Sequence, residues 1–201
     1  DITFPPAYIE SDGVLGDLNG DGTINILDVI IMVNIILGVE PESALADVNG
    51  DGIVNILDIV QVINLILGSR VDNASSIQLH DTGYELKMES DGYVGALKIV
   101  LKHDELFELN ITEDALVSKA HTTQNMTKLV IVAPEHDHLF EYKGFFIIME
   151  VEAANSEQLI PVTLPSTTSL NTVFPNPFNP VTTIGYSLTK ASSINLSIYN
   201  L

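Results

Sequence analysis

The chain has no cysteine and no tryptophan, and lysine and arginine together account for only 8 of its 201 residues. Without cysteine there is no disulfide, no thiol nucleophile and no zinc–cysteine cluster. Without tryptophan, and with few other aromatics, a sugar-stacking platform is not expected. The 8 basic residues stand against 27 aspartates and glutamates, a formal net charge of −19. Such a surface repels nucleic acid and anionic membrane, and neither is expected as a partner. The most apolar runs are about a dozen residues long and are broken by Asp and Asn, too short to span a bilayer. There is no phosphate-cradling glycine loop and no nucleophile elbow. No spacing among the many carboxylates selects a glycosidase pair. The chain is therefore not expected to be an enzyme, and no catalytic residue is assigned.

Two near-identical acidic segments lie thirty residues apart. Asp17-Leu18-Asn19-Gly20-Asp21-Gly22-Thr23-Ile24-Asn25-Ile26-Leu27-Asp28 recurs as Asp47-Val48-Asn49-Gly50-Asp51-Gly52-Ile53-Val54-Asn55-Ile56-Leu57-Asp58. In the first, Asp17, Asn19 and Asp21 alternate with non-ligands, so that their oxygens converge. Gly22 permits the sharp turn. Thr23 offers a backbone carbonyl, Asn25 a water-mediated contact, and Asp28 a closing carboxylate. Asp47, Asn49, Asp51, Ile53, Asn55 and Asp58 take the same roles in the second. Three carboxylates per site suit Ca²⁺, and the absence of His and Cys from both loops disfavours zinc and copper. Two ions are expected.

The last ligand is Asp where an EF-hand has Glu, and no helix of convincing length precedes either loop. This pattern over residues 12–70 resembles a type I dockerin, a pair of loop-then-helix F-hand repeats. The resemblance implies Ca²⁺ binding by the twelve residues just named, an antiparallel helix pair, and docking onto a partner β-sandwich, a cohesin. The segments Asn25–Leu37 and Asn55–Leu67 are apolar nearly all round and carry no Lys or Arg, which implies a further buried face. Ile26, Leu27, Ile56 and Leu57 stand where dockerins often carry partner-reading residues, and they are expected at a hydrophobic partner interface. The alternative is that these helices pack against the chain's own later domain.

After Gly68 the pattern turns from helix to strand. Residues 71–76 read as a linker. Strands are expected over 84–89, 94–102, 128–133, 145–151 and 159–164, from alternation or β-branched content between turn clusters. In Ala96–Lys102, Leu97, Ile99 and Leu101 share one face and both lysines the other. Such strands indicate a β-sandwich. The succession from Gly95 to Leu109, then Lys128–Ala133, Gly144–Val151 and Ile160–Leu164, resembles a cohesin shortened by a strand or two. A generic immunoglobulin-like sandwich fits the same strands.

Beyond a Ser/Thr-rich stretch at 166–172, Val173–Pro180 reads Val-Phe-Pro-Asn-Pro-Phe-Asn-Pro, followed by strand-like runs at 181–188 and 194–201. This resembles the start of a type IX secretion sorting domain, related to flagellar-hook-cap Ig modules. It implies a bacterial protein at the cell surface or released from it, where millimolar calcium loads weak loops. Asp1 opens without a signal peptide, as in a processed or excerpted product. A short sandwich beside two unaccompanied strands invites strand addition between copies. Dockerin-like and cohesin-like modules on one chain invite a head-to-tail filament.

The expected fold class is thus α+β multidomain: a small all-α paired F-hand module, an all-β cohesin-like or Ig-like sandwich, and a C-terminal β segment. The expected divisions are an extension at 1–11, the calcium module at 12–70, a linker at 71–76, the sandwich at 77–165, a Ser/Thr linker at 166–172 and the terminal segment at 173–201. The expected function is extracellular, non-catalytic assembly through a cohesin-like protein or through other copies of the chain, with no membrane insertion. The rival is a targeting module of a secreted glycan-degrading enzyme. The His103-Asp104-Glu105 and Glu135-His136-Asp137-His138 clusters contain metal-ligating types but are expected in polar loops between strands. Asn73, Asn110, Asn125 and Asn195 fit the N-glycosylation acceptor pattern, at a frequency near chance.

Overall fold

The computed structural model describes residues 13–165, 169–174, 181–187 and 196–197. Two helices open the fold, α1 (Ile26–Leu37) and α2 (Ile56–Leu67), with a 3₁₀ turn at Ala44–Ala46 between them. Each begins one residue after an Asn that the sequence places in the calcium loop. Asn25 and Asn55 are the N-caps, accepting from Leu27 N at 2.8 Å and from Leu57 N at 2.7 Å. Asp28 and Asp58 reach back to accept from the cap N–H groups, completing a capping box in each repeat. A cap of this kind is worth about 1 kcal/mol, so the loop itself nucleates the helix that follows. Gly38 ends α1 in the left-handed conformation at φ +80°, a position glycine occupies without a Cβ penalty.

Two five-stranded sheets form the sandwich. The first has the order β10–β1–β2–β7–β4 and the second β5–β6–β3–β8–β9. The strands are β1 (Ile77–Asp81), β2 (Glu85–Ser90), β3 (Ala96–His103), β4 (Glu108–Ile111), β5 (Ala115–Thr123), β6 (Met126–Pro134), β7 (His138–Lys143), β8 (Phe146–Ala154), β9 (Leu159–Ile160) and β10 (Val162–Thr163). The core between the sheets includes Leu79, Leu86, Leu97, Ile99, Leu101, Leu129, Ile131 and Phe140, all wholly buried.

Several expectations are corrected by this topology. β1, β4, β5 and β7 fall outside the five runs expected as strands, and the sandwich is not short of them. The single run expected over 159–164 is split at Pro161, between β9 in one sheet and β10 in the other. Proline has no N–H to donate to a ladder; its carbonyl instead accepts from Ile77 N at 3.0 Å, where β10 runs parallel to β1. The expected linker is tied down: Tyr93 N donates to the Asp72 carbonyl at 2.6 Å, Ala74 N donates to the Tyr93 carbonyl at 3.0 Å, and Ala74 is buried. Neither histidine cluster lies wholly between strands, since His103 ends β3 and His138 opens β7.

At the C-terminus, β11 (Ser169–Phe174) and β12 (Thr183–Ser187) pair antiparallel. The run expected at 181–188 is therefore accompanied, and its partner falls largely in the stretch expected as a Ser/Thr linker. Residues 1–12 and 175–180, and nearly all of 194–201, lie outside the described residues.

The helices lie on the outer face of the second sheet. α1 packs on β5 and β6, and α2 on β3 and β8. That face is arranged in ranks across β5, β6, β3 and β8. The first is Val117, Val132, Ala96, Ala154; the second Lys119, Val130, Lys98, Glu152; the third His121, Lys128, Val100, Glu150; the fourth Thr123, Met126, Lys102, Ile147. The helices cover the apolar end. Val29, Met32, Val33, Ile35 and Leu37 of α1 share a buried cluster with Val117, Val130 and Val132, while Ile56 and Val60 of α2 pack with Ala96 and Ala154. At Gly95 a Cβ would stand 2.8 Å from Val60 Cγ2, so glycine permits α2 to approach. Among the described residues, no helix is long and apolar enough to cross a membrane.

Candidate metal centres and docking faces

The two loops share one hydrogen-bond scheme, repeated thirty residues on. Asp17 Oδ1 accepts from Gly20 N at 2.9 Å and Oδ2 from Gly22 N at 2.9 Å, matched by Asp47 with Gly50 and Gly52 at the same distances. Asp28 Oδ1 accepts from Leu18 N at 2.9 Å and Oδ2 from Asn25 N at 2.9 Å, matched by Asp58 with Val48 and Asn55. Asn19 Oδ1 accepts from Asp21 N at 2.8 Å, as Asn49 does from Asp51. Asn25 Nδ2 donates to the Thr23 carbonyl at 3.1 Å, and Asn55 Nδ2 to that of Ile53 at 3.4 Å. All twelve residues named from the sequence thus sit in two equivalent turns. Gly22 and Gly52 hold φ of +84° and +85° with nothing within 4 Å of an added Cβ. Backbone conformation, not space, requires glycine there.

The electrostatics ask for a cation. Asp28 and Asp58 are wholly buried and Asp17 nearly so. Residues 1–69 contain no Lys, Arg or His, and among the described residues no ion pair reaches any of the six loop aspartates. Burial pushes the Asp58 carboxyl above the usual carboxylate range, and the neighbouring Asp47 charge adds to the effect. The N–H groups of Asn55, Asn49 and Val48 oppose it. Among the described residues no three His, Cys, Asp or Glu side chains form a ligating group by themselves. A metal ion held here would have to draw on the Asn amide oxygens and the Thr23 and Ile53 carbonyls as well. That all-oxygen donor set fits a hard divalent cation.

The four residues expected at a partner interface part company. Leu27 is 53 % exposed, Ile26 and Leu57 are half-buried, and Ile56 is wholly buried against Ala96 and Ala154 of the chain's own sandwich. Two asparagines that sequence reasoning passed over hold the helices to the sheet. Lys119 Nζ donates to Asn34 Oδ1 at 2.9 Å, and Asn64 Nδ2 donates to the Ser156 carbonyl at 2.8 Å. Their signal was available: each is the lone polar residue in the second half of an apolar helix, at equivalent places in the repeat.

The histidine clusters serve the sandwich. His103 Nδ1 lies 2.8 Å from the Asp104 carbonyl and Nε2 2.8 Å from Thr127 Oγ1, with the ring stacked on Phe107 at 4.5 Å. His138 Nδ1 lies 3.2 Å from Glu85 Oε2. Of the glycosylation candidates, Asn110 and Asn125 are exposed. Asn73 is half-buried, and its Oδ1 accepts from Ser156 N at 3.1 Å and from Ser156 Oγ at 2.6 Å. Asn195 lies outside the described residues.

The family model of the dockerin type I domain matches residues 15–67 and again 45–82. This agrees with the duplicated loop-and-helix unit and with the class of calcium-binding docking modules. No curated protein sequence matches the chain. Among solved structures, a non-cellulosomal cohesin from the hyperthermophilic archaeon Archaeoglobus fulgidus is similar at 15 % identity and a TM-score of 0.35. The match covers 47 % of this chain and 87 % of that one.

Proposed function

We propose that this chain is an extracellular, non-catalytic assembly protein whose helical pair is set by two Ca²⁺ ions. The observation that carries the reading is the pair of acidic turns with one hydrogen-bond scheme, six aspartates without a single basic residue in the first 69. One ion would be held by Asp17, Asn19, Asp21, the Thr23 carbonyl, Asn25 through water, and Asp28. The other would be held by Asp47, Asn49, Asp51, the Ile53 carbonyl, Asn55 through water, and Asp58. Bound calcium supplies charge neutralisation and cross-links each turn to the first turn of its helix. The calcium module is assigned to 12–70 and the sandwich to 77–165. We read residues 173–201 as the sorting-type segment of a secreted bacterial protein.

The helical pair, loaded with calcium, is a surface for another protein, either a cohesin-like sandwich or a further copy of this chain, with assembly into a filament. The dockerin match favours a second reading, a targeting module of a secreted glycan-degrading enzyme that docks on a separate cohesin scaffold. Calorimetric titration with Ca²⁺ tests the common root of both. Binding at two sites is expected, with a gain of helical circular dichroism; no heat and an unchanged spectrum would refute it. Capture of an isolated cohesin domain by a chain that stays monomeric would favour the second reading.

A further inference from the structure

The two helices are near copies, yet their equivalent residues meet opposite fates. Ile56 and Val60 are wholly buried on the sheet, while Ile26 and Ile30, thirty positions earlier, are only half-buried. Ile35 and Leu37 are 7 % and 3 % exposed, while Leu65 and Leu67 are 63 % and 57 % exposed. The first half of α2 and the second half of α1 are thus seated on the sandwich. The matching halves, carrying Leu27, Leu65 and Leu67, present a second apolar face of the same composition, and among the described residues nothing covers it. The helical module contributes only acidic charge, since no basic residue occurs before Arg70, which follows Leu67 by three positions.

The sheet that receives the helices is also only partly used. Its covered end is small and apolar; the same face continues into Lys128, whose Nζ lies 3.9 Å from the place of a Cβ on Gly38 at the end of α1, and beyond it into Met126, Lys102 and Ile147. Ile147 is 50 % exposed and Met149, at the bulge in β8, is 56 % exposed. Four of the chain's eight basic residues stand on this one face: Lys98, Lys102, Lys119 and Lys128. Lys98 is held by Glu150 and Glu152, and Lys119 by Asn34. Among the described residues, Lys102 and Lys128 have no carboxylate partner.

We infer that the uncovered end of this sheet face receives the open helical face of a second copy of the chain, giving a head-to-tail contact. This rests on the reading of the helical pair as a docking module and names its partner. Two observations select a second copy. The open helical face nearly repeats the one already seated on this sheet. Its acidic, apolar surface also complements a basic, apolar strip on a molecule that is otherwise strongly acidic. The contact is heterologous, one patch meeting a different patch, so it propagates unless the rotation closes a ring.

Complementation between two variants of the full chain tests this. Lys102→Glu with Lys128→Glu disables the sheet strip, and Leu65→Lys with Leu67→Lys disables the helical face. All four residues are exposed, so the fold should survive, as circular dichroism and melting will report. Sedimentation in saturating Ca²⁺ is expected to show oligomers for the parent chain, monomers for each variant alone, and a one-to-one dimer when the two are mixed. A parent chain that stays monomeric while binding two Ca²⁺ overturns this inference and leaves the docking reading standing. Variants that still polymerise singly, or a mixture that stays monomeric, overturn it as well. Failure to bind Ca²⁺ sinks the docking reading instead, and the sedimentation result then decides the contact by itself.

Discussion

Lys119 Nζ on β5 donates to Asn34 Oδ1 on α1 at 2.9 Å, and the pair joins the helical pair to the sandwich across a largely apolar contact. Asn64, at the same place in the second repeat, donates from Nδ2 to the Ser156 carbonyl, while its own buried Oδ1 has no partner among the described residues. A polar clasp inside an apolar seam sets orientation as well as energy, because any slip leaves the group unpaired.

Breaking the clasp should loosen the helices without unfolding the sandwich. Asn34→Ala and Lys119→Ala are each expected to cost about 1–3 kcal/mol, since the bond involves a charged donor that is half-buried. Denaturant titration of the two single variants and the double variant is the check. Coupling between the sites is expected; additivity would mean that the bond contributes nothing.

Gly95 is where α2 comes closest to the sheet. Gly95→Ala should destabilise by about 1–3 kcal/mol through overpacking, because the new Cβ would meet Val60 Cγ2 at 2.8 Å and Cγ1 at 3.0 Å. Adding Val60→Ala removes both obstructing methyl carbons, and part of the loss should return. Thermal melts of the three variants would show whether the contact is with Val60.

Chelation should act on the helices first. With calcium removed, six aspartates lack a counter-charge and the loops that cap α1 and α2 lose their cross-link. At a calcium concentration of about 100 times Kd, the ion adds roughly 2.7 kcal/mol per site. A chelator is therefore expected to lower the melting temperature and the helical signal, and to raise binding of a hydrophobic dye as Val117, Val130 and Val132 become exposed. Asp58→Ala should reproduce about half of this at saturating calcium.

Tyr142 supplies an alkaline dependence. Its Oη donates to Asp81 Oδ1 at 2.6 Å; burial, reinforced by the Asp81 carboxylate, holds the phenol protonated far above the usual tyrosine range. A pKa raised by folding means that the stabilisation is complete below the unfolded value of about 10 and is lost as pH rises above it. Stability should therefore fall above about pH 10, and Tyr142→Phe should flatten that fall. Absorbance titration of the tyrosinates, with melting measured at each pH, checks both.

The two acidic turns were legible because their hydrogen bonds are local. Asp17 to Asp28 lie within twelve consecutive residues, and the glycines, caps and ligand types leave one conformation. β3 was legible because Leu97, Ile99 and Leu101 alternate with lysines. β1, β4, β5 and β7 were not. Ala115–Thr123 is an edge strand with mixed burial, and its polar sequence carries no period-two signal. The break at Pro161 needed both sheets to be present before a single strand-like run could be seen to serve each.

The primary structure alone settles two acidic turns, the helices they cap and the presence of strands behind them. These follow from near-neighbour sterics and hydrogen bonds, and they would hold wherever the segments were placed. The choice of which apolar helix face to bury is not local. The repeats differ too little for their residues to say that Ile56 closes on the sandwich while Ile26 stays half-open. That asymmetry arises only when Ala96, Ala154, Val130 and Val132 from distant strands form one flat apolar surface, which has room for a single face of the pair.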